Sequence, residues 1–239
     1  MRAKDRALRK SWLAAATVAL FSSLAPAFAE SDCLLDRCVD RQPSPGPPSA
    51  VAPANFDFYV LALSWSPSFC ETHPRGGEQC APGADRGFVL HGLWPQYEHG
   101  FPQNCSFGAA PSRLALERAR GVYPEEGLAR YEWRKHGACT GFSPGDYFDA
   151  AARAKALVAT PAGLASLSRD ATLGGGEIVR AFVEANPRLR PGMLSVVCEG
   201  GALQEVRVCL AKDLREFRAC PELARRSCRA RAIRVPAPR

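Results

Sequence analysis

Four stretches of the chain place apolar residues in the short runs typical of strands: residues 56–63, 87–95, 193–198 and 203–210, the last in clean alternation. The run at 87–95 meets the breakers Gly92 and Pro95, so it predicts a buried strand that ends at His91, where strand gives way to loop. Between the strands, residues 112–119, 124–135, 144–158 and 177–185 repeat apolar positions at helical spacing, two of them opened by Pro124 and Pro144. Helices in the middle and strands at both ends predict an α+β fold, with several helices packed on a central, mostly antiparallel sheet, rather than a doubly wound one. Gly174-Gly175-Gly176 lacks the Lys-Ser/Thr of a phosphate loop and reads as a turn before a helix. No internal repeat is present.

The N-terminus breaks this pattern. Arg2, Lys4, Arg6, Arg9 and Lys10 precede an apolar stretch at 12–24 and the small-x-small sequence Ala27-Phe28-Ala29, which describes a cleavable secretory signal over residues 1–29. The apolar run is shorter than the ~20 residues needed to cross a bilayer, and no cysteine follows the cleavage site to carry a lipid. Residues 30–54, rich in Pro, Ser and Ala toward their end, cannot bury a core and read as a linker. Residues 55–239 then suit one domain. The whole chain carries +7; without residues 1–29, Lys+Arg falls from 31 to 26 and Asp+Glu from 24 to 23, leaving +3. That surface is mildly basic, compatible with a polyanion without demanding one. Arg225, Arg226, Arg229, Arg231, Arg234 and Arg239 read as a basic C-terminal tail.

All ten cysteines lie beyond residue 29, which in an exported chain argues for disulfides. Cys33 and Cys38 are close enough to close a loop on each other or to bind a partner elsewhere. Cys70 is within local reach of Cys80, and the last four could nest as Cys198 with Cys228 and Cys209 with Cys220. Paired C-x-x-C spacing is missing and the histidines do not cluster, so no metal and no cofactor are expected.

The candidate chemistry sits in two places. In Tyr131-Glu132-Trp133-Arg134-Lys135-His136-Gly137-Ala138-Cys139, a helix puts Glu132, Lys135 and His136 at i, i+3 and i+4 on one face while Trp133 anchors another. Alone, this triplet reads as a surface Glu-Lys pair with a solvated histidine. His91 alone could be a hydrogen-bonded core residue, and Trp94 a core tryptophan. His73 and His99, among Gly, Pro and charged residues, read as exposed loop histidines.

Together, His91-Gly92-Leu93-Trp94-Pro95 and Glu132-Trp133-Arg134-Lys135-His136-Gly137 resemble the two active-site segments of the ribonuclease T2 family, His-Gly-Leu-Trp-Pro followed by His-Glu-Trp-x-Lys-His-Gly. The resemblance implies an α+β, disulfide-stapled, metal-independent enzyme acting on single-stranded RNA, a monomer free of the membrane once its signal is cleaved, in the periplasm or outside the cell. RNA supplies its own nucleophile in the 2′-hydroxyl. The resemblance implies His136 as general base, His91 as general acid, and Glu132 and Lys135 as stabilisers of the phosphorane. The products would be a 2′,3′-cyclic phosphate and then a 3′-phosphate. It also implies Trp94 as a base-stacking aromatic and a Cys105 to Cys139 disulfide. Tyr131 stands where the family commonly has a phosphate-binding histidine, and Gln96 where some members carry an acidic base-selecting residue. Asn104-Cys105-Ser106 is a glycosylation acceptor only in a eukaryotic secretory pathway. The other reading is a catalytically inert secreted relative that binds RNA or a partner protein. Such a relative would be expected to lose a catalytic histidine, and both are present here.

Overall fold

A computed structural model of the protein describes residues 55–105 and 109–239. The expected signal, the linker with Cys33 and Cys38, and Ser106 lie outside the described residues. In chain order the elements are β1 (Phe58–Trp65), α1 (Ser66–Thr72), β2 (Phe88–Gln96), α2 (Arg113–Ala119), α3 (Glu126–Lys135), α4 (Pro144–Ala156), α5 (Ala162–Ala165), β3 (Ala171–Leu173), α6 (Gly175–Ala185), β4 (Leu194–Glu199), β5 (Ala202–Ala211), α7 (Pro221–Arg225) and β6 (Ile233–Val235). Ser112 and Ser143 cap α2 and α4 by accepting from the backbone N–H of Ala115 and Asp146. The sheet runs β2-β1-β5-β6-β3, with β4 also paired to β5. Among the described residues every strand pairing within this sheet is antiparallel except the bridge between Ala202 of β5 and Arg234 of β6. The expected α+β architecture is the one observed.

β1 is buried along nearly its whole length because both its faces are covered. Tyr59, Leu61 and Leu63 join Trp133, Tyr147, Phe148 and Phe182 in the main core, while Phe58 and Val60 pack with Cys209, Cys220, Trp94 and Leu223 on the opposite face. That second face carries the site.

Two expectations need correcting. The strand does not end at His91. β2 continues to Gln96 as an edge strand, where Pro95 needs no N–H partner. Ala62 pairs with Gly92 and Leu63 with Leu90, so His91 is the extra residue of a β-bulge. The arginine-rich C-terminal segment is built into the domain: Ile233 and Val235 are fully buried in β6, and the Trp65 indole donates to the Pro236 carbonyl at 2.9 Å. Arg234 and Arg239 are spent on Glu71 and Asp170.

Among the described residues four disulfides join Cys70 to Cys80, Cys198 to Cys228 and Cys209 to Cys220, the pairings that local reach and nesting allowed, and Cys105 to Cys139, the pairing that the family resemblance implied. Cys105–Cys139 closes the longest loop, with a sequence separation of 34, so replacing both residues by Ala is expected to cost about 2–4 kcal/mol. Denaturant unfolding of the double variant checks this; an unchanged midpoint would contradict it.

Candidate active site

The bulge decides what β2 presents. In strict alternation His91 would follow Leu93 into the main core; with one residue inserted, Leu90 and Leu93 fill the core and His91 turns with Gly92, Trp94 and Gln96 to the other face. On β5, Arg207 faces the same way, opposite Ala62.

α3 comes down onto this face. Its last helical residue is Lys135; His136 is the cap, its backbone N–H bonded to the Glu132 carbonyl at 2.9 Å. The chain leaves the helix there because Gly137 abuts Trp133 and Tyr147 too closely for a Cβ, Cys139 is bonded to Cys105, and the Asn104 N–H holds the Lys135 carbonyl at 2.8 Å. Trp133 anchors α3 in the core, as expected.

His91, Trp94, Gln96, Glu132, Lys135 and His136 line one cleft of about 310 Å³ with Phe101, Arg207 and Leu223. Glu132 is its buried centre, 1% exposed. Trp94 Nε1 donates to Glu132 Oε2 at 2.7 Å, while Oε1 has no hydrogen-bond partner and lies 3.6 Å from His91 Nε2. The carboxyl rests so closely on the strand that a Cβ on Gly92 would stand 1.9 Å from Oε2, which is why glycine follows the histidine. The Trp94 ring packs against both imidazoles, its centroid 5.2 Å from that of His91 and 5.3 Å from that of His136. Lys135 Nζ donates to the Tyr131 hydroxyl at 2.9 Å; Tyr131 is exposed and is not part of the cleft lining.

The two histidines are driven apart. Burial works against a charge on His91, but Glu205, whose Oε1 lies 2.6 Å from Nδ1, and Glu132 outweigh it and raise its pKa. Burial, then the charges of Lys135 and His91, push His136 down to about 3, with Nδ1 buried and unpartnered. Burial pushes Glu132 up to about 7. Between about pH 3 and 6.5 the cleft therefore favours a charged His91 and a neutral His136.

Sequence reasoning missed Glu205, Arg207 and Phe101 as neighbours of the site. With Gln204 before it and Arg207 two residues on, Glu205 carried no signal that set it apart from a solvent-facing strand position. His73 and His99 are exposed, as expected, and neither lines the cleft. Among the described residues no group of three or more His, Cys, Asp or Glu side chains is arranged to hold a metal. A larger cavity of about 640 Å³ beside α2 and the start of α3 holds no histidine, and two of its arginines pair with local glutamates.

The sequence profile described as the ribonuclease T2 family matches residues 56–220. A ribonuclease of Aeromonas hydrophila is 36% identical over 174 residues, covering 70% of this chain and 77% of the relative. Among solved structures, the self-incompatibility-associated SF11-RNase of Nicotiana alata superposes with a TM-score of 0.59 at 20% identity, over 77% of this chain and all of that one. A mutant of bitter gourd RNase MC1, solved in complex with 5′-UMP, superposes with a TM-score of 0.55 at 21% identity, over 68% of this chain and 91% of that one. At these identities the structural likeness is one of fold.

Burial at the site gives folding two opposed pH dependences. His136 takes its proton less readily folded than unfolded, so stability is lost as pH falls from 6.5 toward about 3. Glu132 takes its proton more readily folded, so its contribution is full below 4.5 and is lost as pH rises through about 7. The two offset one another between pH 4.5 and 6.5, and below 4.5 only the histidine's loss continues. His136→Gln cannot titrate and is expected to flatten the fall in folding free energy between pH 4.5 and 3 relative to the parent, read by urea unfolding. Parallel curves for the two proteins would contradict the buried, neutral imidazole.

Proposed function

The chain belongs to the ribonuclease T2 family, and we propose that it is an endoribonuclease that cleaves single-stranded RNA by metal-independent proton transfer between His136 and His91. The observation that carries the mechanism is the pair of imidazoles in one cleft, biased toward opposite protonation states around the Trp94 ring.

Neutral His136 takes the proton of the 2′-hydroxyl, whose oxygen attacks the adjacent phosphorus. Charged His91 gives its proton to the departing 5′-oxygen, leaving a 2′,3′-cyclic phosphate. Water then opens the ring to a 3′-phosphate with the roles reversed. The free site depresses His136 partly through the charges of Lys135 and His91; a bound phosphodiester adds negative charge beside them and strengthens the base. Lys135 offsets the charge of the phosphorane. Glu132, with its pKa near 7, can donate a proton from Oε1 to a phosphoryl oxygen without bringing a full negative charge to the site. Trp94 offers a face for a base, and stacking is worth roughly 1–3 kcal/mol. Tyr131 reaches a phosphate only through Lys135 or by turning toward it.

Export is part of the same proposal. A charged, apolar, small-x-small N-terminus and four disulfides in the domain fit secretion to the periplasm or beyond. No helix among the described residues is long and apolar enough to cross a membrane.

Incubation of the purified protein with RNA and with single-stranded DNA in excess EDTA tests the reaction class. RNA should be degraded to 2′,3′-cyclic phosphate ends and DNA left intact; activity abolished by the chelator, or DNA cut at a comparable rate, would sink the mechanism. His91→Ala and His136→Ala should each lose roughly 10²–10⁴-fold in kcat on RNA. A uridine 3′-aryl phosphate, whose leaving group needs no acid, should rescue His91→Ala and not His136→Ala; the opposite pattern would reverse the assignment.

A further inference from the structure

We propose that Glu205 is a positioning residue for cleavage: by accepting the Nδ1 proton of His91 it fixes the ring so that Nε2 is the only nitrogen that can hand a proton to the substrate. This deepens the reading above and rests on His91 as the general acid.

Glu205 and His91 are 114 residues apart in sequence and sit on strands that do not pair, β5 and β2, with β1 between them. They meet over β1 because the residues there are small. Ser64 pairs with both Val89 and Glu205, and Ala62 with both Gly92 and Arg207. The bulge at His91 completes the approach, and the oxygen to nitrogen distance is 2.6 Å. Glu205 is 5% exposed, and both its oxygens are used: Oε1 by His91 and Oε2 by Arg207 Nε at 2.5 Å. A buried carboxylate is costly unless its oxygens are satisfied, and this one is satisfied by a fixed guanidinium on one side and the imidazole on the other. A carboxylate can only accept, so Nδ1 must carry the hydrogen. That leaves Nε2 facing the cleft, 3.6 Å from Glu132 Oε1.

The groups that act on His91 come from several elements: Glu205 and Arg207 on β5, Glu132 on α3 and, with Trp94 packed edge-on, β2 itself. Glu132 faces Nε2 from 3.6 Å, beyond hydrogen-bond distance, so it does not fix a hydrogen there. Arg207 opposes the charge on His91, so its contribution is to hold Glu205, whose own carboxyl is kept below the usual range. Among these groups Glu205 alone reaches Nδ1.

The test compares the full, oxidised chain with Glu205→Gln, which keeps the shape and removes the charge. In ¹⁵N-histidine spectra the parent's neutral His91 should be the Nδ1–H tautomer, and the variant should titrate at lower pH. On RNA, kcat should fall roughly 10–10²-fold, the usual loss when a residue that orients a site group is removed, with KM within about twofold; the aryl phosphate should be turned over at the parent's rate. An unmoved His91 titration overturns the proposal. A moved titration with both substrates slowed alike leaves the orientation standing and overturns His91 as the acid. If Glu205→Gln does not fold, the parent's spectrum decides, since an Nε2–H tautomer above the midpoint contradicts the proposal by itself.

Discussion

The burial of the Glu132 carboxyl against Gly92 is the contact on which the site depends. It presses the end of α3 onto β2, and so joins a helix and a strand that are separated in sequence. A charged carboxylate in this position is costly. Among the described residues the Trp94 indole is its hydrogen-bond donor, and His91 Nε2 lies 3.6 Å from its other oxygen. The carboxyl responds by holding its proton up to about pH 7. Gly92 is the other half of the contact, since any side chain there would occupy the space of the Glu132 oxygen.

From that contact the rest follows by geometry. Once α3 is docked, its C-terminus must stop beside the sheet, and the Cys105–Cys139 bond, the Asn104 hydrogen bond and the close approach at Gly137 stop it there. His136 is thereby put into the wall of the cleft with a buried, unpartnered Nδ1. His91 is brought over the same cleft by the bulge and meets Glu205 instead. Among the described residues one imidazole is buried without an anion in contact and the other with one, and this asymmetry sets their proton affinities apart.

Much of this was legible in the sequence. Strand and helix periods gave the elements that build the core, cysteine spacing allowed three of the pairings found while the family resemblance implied Cys105 with Cys139, and the two motifs named His91, Trp94, Glu132, Lys135 and His136 as residues that the fold brings together. The bulge was not legible, because Gly92 and Pro95 after His91 carry the same signal as the end of a strand. Glu205 was hidden because its partner is two strands away, and a glutamate beside Val206 and Arg207 looks like a solvent-facing position. β6 was hidden by its composition: Arg231 and Arg234 made the segment look like a solvated tail, although Ile233 and Val235 alternate as strand residues do. Pairwise reach across a sheet, rather than local propensity, sets these features.

The opposed protonation states of His91 and His136 are measured most directly by titrating the histidine side chains of the free protein by NMR. His91 should titrate above 6.5 and His136 far below it, toward 3, so that a wide range of pH holds one charged and one neutral ring. Two midpoints near 6.5, or His136 titrating above His91, would contradict the assignment of acid and base.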